Sequence, residues 1–124
     1  MSEPVATERC DTVIVDDDES SRTLLDKFLR VRGHVPGCAR SLAEARPMLG
    51  EDCKRVILDL NLPDGRGTEL LRQIRDENLP IKVAVTTGVS DRLLLAEVSM
   101  LQPDAFFVKP VDLMELMSWM KSVA

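Results

Sequence analysis

TVIVDDDESS, residues 12–21, runs from a short β-favouring stretch straight into three adjacent aspartates. A brief, continuous run rich in Val and Ile suits a parallel strand covered on both faces. Three neighbouring carboxylates repel one another. The run therefore ends either in a solvated turn that caps a helix or at a place where a cation sits.

Working outward, similar runs recur at Val13–Val15, Val56–Leu58, Val83–Val85 and Ala105–Val108. A further strand is expected near His34–Ala39, although Pro36 and Gly37 interrupt it. Helical patterns fill the intervals. Ser21–Val31 places Leu24, Leu25, Phe28 and Leu29 on one side, with Gly33 as a stop. Ser41 and Glu44 have capping-box spacing and open a helix toward Leu49, which Pro47 shortens or bends. A third helix runs from about Thr68 to Asp76 with Leu70, Leu71 and Ile74 inward. A fourth covers Arg92–Leu101 and ends before Pro103, and a fifth fills Leu113–Val123. Alternating strands and helices, five of each, predict an α/β fold with a doubly wound parallel sheet.

In such a sheet ligands bind outside the carboxyl ends of the strands. Asp16 and Asp17 follow the first strand, Asp59 the third, Thr86 and Thr87 the fourth, and Lys109 the fifth. Carboxylates gathered at one rim call for a hard cation with oxygen ligands, Mg2+ or Mn2+. An aspartate beside such an ion can act as a nucleophile toward phosphorus. The ion, an ammonium such as Lys109 and a hydroxyl such as Thr87 would offset charge on the phosphoryl oxygens.

The chain has 124 residues, 44% apolar and 30% charged, with a formal net charge of −5. That is the size and balance of one globular domain. No Lys/Arg block is present, so direct nucleic-acid binding is not expected. No apolar run approaches a membrane span, and residues 1–10 lack the apolar core of a secretion signal. The three cysteines, Cys10, Cys38 and Cys53, form no metal pattern and suit reduced thiols in the cytoplasm.

The acidic pair in VIVDDDESSR, the aspartate in LDLNLPDGRG, the hydroxyl in TTG and the lysine in VKP occur in an order that resembles the receiver domain of two-component response regulators. The resemblance covers about Asp11 to Val123. It implies a flavodoxin-like three-layer sandwich with strand order 2-1-3-4-5, and a phosphoprotein of a bacterial phosphorelay. Carried over residue by residue, it makes Asp59 the phosphoacceptor and Asp17 a direct metal ligand. Asp16 would hold metal-bound water, and the backbone carbonyl of Asn61 would complete the protein's share of the metal shell. Lys109 would pair with the phosphoryl group, and its bond to Pro110 would be cis. Thr87 and Phe106 would form the hydroxyl–aromatic switch, while Asn61 and Val89 occupy positions that tune loss of the phosphoryl group. Asp18 has no ligand role and helps begin the helix.

The implied partners are a histidine kinase or histidine phosphotransfer protein and a downstream protein target. Such a domain catalyses only its own phosphorylation and dephosphorylation. Residues 1–10 read as a flexible leader and 11–124 as the receiver, without an output domain. The family's output face, formed by the fourth helix, fifth strand and fifth helix, would also serve a homodimer. In the last helix Leu113, Leu116, Met117 and Met120 form the inward stripe, leaving Met114 and Trp119 as candidates for a partner surface. Two departures stand out: Gly88 where alanine is common, and Phe106 where tyrosine is frequent. Two other readings compete. A phosphohydrolase of the haloacid dehalogenase type would want an acid where Asn61 stands, and a scaffold that works without phosphorylation would not need the intact acidic set.

Overall fold

A computed structural model describes residues 10–88 and 92–123, and for residues 92–94 the backbone alone. The expected leader lies outside the described residues apart from Cys10. Five strands make one parallel sheet: β1 (Thr12–Val15), β2 (Pro36–Ala39), β3 (Arg55–Asp59), β4 (Lys82–Thr87) and β5 (Ala105–Val108). Their spatial order is β2-β1-β3-β4-β5. The helices are α1 (Glu19–Val31), α2 (Leu42–Ala45), α3 (Gly67–Asp76), α4 (Arg92–Met100) and α5 (Leu113–Ser122).

Strand alternation assigns the two faces. Val13, Val15, Val56, Leu58, Val83 and Val85 join Leu42, Leu70, Leu71, Ile74 and Val98 in one core, on the side of α2, α3 and α4. Ile14 and Ile57 point the other way and pack with Leu25, Leu29, Leu116 and Met120 of α1 and α5. Every residue of β1 and β3 is buried, so the central strands are apolar on both sides and read as continuous hydrophobic runs.

Local chemistry explains the element ends. Asp18 is the N-cap of α1, its carboxylate accepting the Ser21 N–H at 2.9 Å. Pro36 opens β2 at the edge of the sheet, where its missing N–H costs no interior ladder bond. Pro47 limits α2 to four residues followed by a 3-10 turn over Arg46–Met48.

Two local expectations are corrected. Leu24 is 57% exposed and does not join the α1 stripe. The helix turns through 100° between Leu24 and Leu25, and only the latter faces the sheet. The Ser41–Glu44 box is half made. The Ser41 hydroxyl accepts the Glu44 N–H at 3.1 Å, but the Glu44 carboxylate reaches past it to the Arg40 N–H at 2.8 Å. The first two helical N–H groups of α2 donate instead to Asp64, at 2.8 Å from Leu42 and 3.0 Å from Ala43.

At the opposite rim, the buried Arg55 donates to the Thr12 hydroxyl at 3.2 Å and pairs with Asp11 at 3.5 Å. His34 approaches the same Asp11 carboxylate at 3.4 Å, a structural position away from the acidic rim.

Candidate functional site

The sheet order creates the site. The chain leaves β1 outward to β2 and then returns to place β3 on the other flank of β1. The carboxyl ends of β1 and β3 thus border the switch point of the sheet, where helix crossovers diverge and leave a crevice. Asp16, Asp17 and Asp59 meet there, each offering a carboxylate oxygen within 4.8 Å of the others. Asp16 and Asp59 are buried, at 2% and 5% exposed, while Asp17 is exposed.

Lys109 follows β5 and bridges the two buried acids. Its Nζ donates to Asp16 Oδ2 at 3.0 Å and to Asp59 Oδ2 at 3.1 Å. The bond from Lys109 to Pro110 is cis. Asp59 Oδ1 accepts the Asn61 N–H at 3.3 Å. Thr87 ends β4 fully enclosed, its carbonyl accepting the Lys109 N–H at 2.8 Å. The neighbouring Thr86 is buried and pairs in register with Asp59, a structural place in the sheet.

Burial holds the Asp59 carboxyl above its usual range, and the charge of Asp16 pushes the same way against the pull of Lys109. Burial alone would depress the Lys109 ammonium. Its hydrogen bonds and charge contacts with Asp16 and Asp59 outweigh that and raise it instead. Three carboxylates thus face one ammonium at the cluster itself, an oxygen-only donor set with unbalanced negative charge. Those residues fit a hard divalent cation.

The loop after Asp59 is fixed by backbone approach. Asn61–Leu62 pairs with Gly65–Arg66 in a two-residue antiparallel ribbon, and the Gly67 N–H donates to Leu60 O at 2.9 Å. A Cβ at Gly67 would collide with the Asp59 carbonyl oxygen and lie 3.0 Å from Leu60 Cα. Gly65 has φ 151, which favours glycine. The PDG turn therefore does more than reverse the chain: Asp64 docks this loop onto α2, and Gly67 admits it against α3.

Other expected residues fall at varied distances from this centre. Phe106 is 40% exposed on the outer side of β5, beside the likewise exposed Val108. Met114 is exposed at the start of α5. Trp119, expected off the inward stripe, is instead half-buried and packs against the core shared by α1 and α5, because it lies three residues from Leu116 and next to Met120 on the buried side of the helix. Val89 lies outside the described residues. Sequence reading missed Arg22, whose Nη1 donates to the Asp16 carbonyl at 2.8 Å. It also missed a cavity of about 210 Å³ between α1 and the segment after β5, lined by Leu24, Leu25, Pro110, Val111 and Leu113 together with the polar Asp16, Ser21, Thr86 and Lys109.

Comparison with known proteins agrees with this geometry. The chain is 33% identical over 113 residues to the transcriptional regulatory protein CpxR homolog of Haemophilus influenzae, and 28% identical over 112 residues to the TorCAD operon transcriptional regulatory protein TorR of Escherichia coli K12. Each match takes in 90% of this chain and 48% of the relative, so the chain spans about half the length of these curated relatives. Among solved structures, a response regulator receiver protein from Pseudomonas putida superposes with a TM-score of 0.84 at 30% identity, covering 93% of this chain and 98% of that one. The sequence pattern of the response regulator receiver domain matches residues 12–121, nearly the whole span in which the acidic rim, Asp59 and Lys109 are set out. The chain belongs to the response regulator receiver domain family, a signalling domain of two-component systems.

Proposed function

We propose that this receiver accepts a phosphoryl group on Asp59 from a phosphohistidine of a histidine kinase or histidine phosphotransfer protein, in a step that depends on Mg2+ or Mn2+. The observation that carries the reading is Lys109 bridging Asp16 and Asp59, with Asp17 in the same cluster. A carboxylate oxygen of Asp59 attacks phosphorus, the O–P bond forms and the N–P bond to the donor imidazole breaks, and the imidazole leaves with the electron pair. Asp16, Asp17, Asp59 and the Asn61 carbonyl would hold the divalent cation, which when bound neutralises phosphoryl charge.

The residues of the chain carry the rest. Lys109 transfers its hydrogen bond from the Asp59 carboxylate to a phosphoryl oxygen, and Thr87 hydrogen-bonds another. The burial of Asp59 excludes bulk water from the nucleophile. The apolar cavity beside Lys109, with Leu24 exposed at its edge, suits docking of the donor close to the acceptor.

Output would pass through Thr87 and Phe106 to α4, β5 and α5. Met100, Phe106, Val108 and Met114 are large apolar residues left exposed on those elements, which supports a protein-contact face for a target or a second copy. No helix among the described residues is long and apolar enough to cross a membrane. The chain acts as a switch in the cytoplasm and turns over no separate substrate.

Loading the protein with beryllofluoride and Mg2+ tests the reading by amide NMR. The expected result is a concerted shift at Asp59, Thr87, Phe106 and Lys109 that requires both components. Spectra unchanged by the pair would refute it.

A further inference from the structure

Asp16 is held at four atoms. Its N–H donates to Ala39 O at 3.0 Å, and its Oδ1 accepts the Asp18 N–H at 2.9 Å. Its Oδ2 accepts from Lys109 at 3.0 Å, and its carbonyl oxygen accepts from Arg22 Nη1 at 2.8 Å. The last contact reaches back from α1, six residues along the chain. That carbonyl belongs to the peptide joining Asp16 to Asp17. Its orientation decides the direction in which the exposed Asp17 leaves the strand.

Arg22 reaches the Asp16 carbonyl from α1, whereas Lys109 reaches the Asp16 carboxylate from the segment after β5. One acid is therefore held by two cations from two elements, a guanidinium at its backbone and an ammonium at its carboxylate. A side chain that fixes a metal-binding residue without touching the metal sets affinity through geometry.

We propose that Arg22 is a positioning residue for the divalent cation: it locks the Asp16–Asp17 peptide so that both carboxylates are presented to one ion. This rests on the metal-dependent reading above. Outer partners of this kind change metal affinity by about 10–100-fold when removed. A lysine keeps the charge but not the planar fork, so it restores only part of the effect.

The test is Mn2+ titration, by calorimetry and by the spectrum of free Mn2+, of wild type, Arg22→Gln, Arg22→Lys and Arg30→Gln. Arg30 shares α1 but donates to Asp26 and the Pro36 carbonyl, so it controls for helix charge. Arg22→Gln is expected to weaken Mn2+ binding at least about tenfold and Arg22→Lys by less, with Arg30→Gln within about twofold of wild type. Amide exchange at residues 16–18 should quicken in Arg22→Gln and not in Arg30→Gln. Should Arg22→Gln fail to fold, Arg22→Lys decides, with a loss of about threefold or more expected. Wild-type affinity and unchanged exchange in the folded Arg22 variant would overturn the proposal. Failure of wild type itself to bind Mn2+ would instead bring down the metal-dependent reading, and this inference with it.

Discussion

Replacing Gly67 with alanine tests how the acceptor is held. The added Cβ would overlap the Asp59 carbonyl oxygen and stand 3.0 Å from Leu60 Cα. Both are backbone atoms beside a strand end, so no flexible side chain can swing away. Relief must come from moving α3 off the loop or moving the loop itself. Overpacking of this kind costs about 1–3 kcal/mol. In a domain of this size that corresponds to a fall in melting temperature of roughly 3–15 °C. The strained carbonyl belongs to Asp59, so the carboxylate should shift against Lys109 as well, slowing phosphorylation by acetyl phosphate. Gly50 supplies the contrast, since a Cβ there meets nothing within 4 Å. Gly50→Ala should be neutral or stabilising by up to about 1 kcal/mol, through the unfolded chain. Thermal unfolding followed by circular dichroism, with the phosphorylation rate measured on the same samples, reads both effects. A Gly67→Ala protein that melts with wild type and is phosphorylated at the wild-type rate would refute the close-approach argument.

Asp17→Asn should stabilise the metal-free protein by up to about 1 kcal/mol, because it removes one of three carboxylates gathered within 4.8 Å. It should also abolish the rise in melting temperature with Mg2+, which for wild type at ten times its Kd corresponds to about 1.4 kcal/mol. Asp64 lies below its usual carboxylate range because the Leu42 and then the Ala43 N–H groups bond its charged form. Its contribution is thus fully present above about pH 4 and lost as pH falls through the lower folded value, so the melting difference between wild type and Asp64→Asn should shrink in acid. Cys38 is exposed, yet packing around its sulfur and then the charge of Asp26 push its thiol up to about 11. Its alkylation at pH 8 should run about 100-fold below that of an ordinary exposed thiol, and Asp26→Asn should speed it.

The fold was legible where one residue answers to one physical demand. Val13, Ile14 and Val15 are apolar in succession because the strand is covered on both faces, and the structure divides them between two cores. The acidic rim was legible for a related reason: in a parallel sheet a charged residue directly after each apolar run has one place to go. Partners distant along the chain left no such signal. Asp64 caps α2 from 22 residues away, and within its own stretch it reads as a turn residue. Gly67 looks like a helix start until the Asp59 carbonyl is seen against it. Arg22 sits among solvent-facing residues of α1, and only the fold of the β1–α1 loop brings it to the Asp16 carbonyl. Leu24 followed the helical period yet lies beyond the edge of the buried stripe, where the sheet no longer covers it.

The most direct test of the central claim is the intact mass of the protein after incubation with acetyl phosphate and Mg2+, read beside Asp59→Asn. One added phosphoryl group is expected on wild type, absent from the variant and absent when the metal is chelated. An adduct of equal yield on Asp59→Asn, or one indifferent to the metal, would contradict Asp59 as the acceptor in a cation-dependent site.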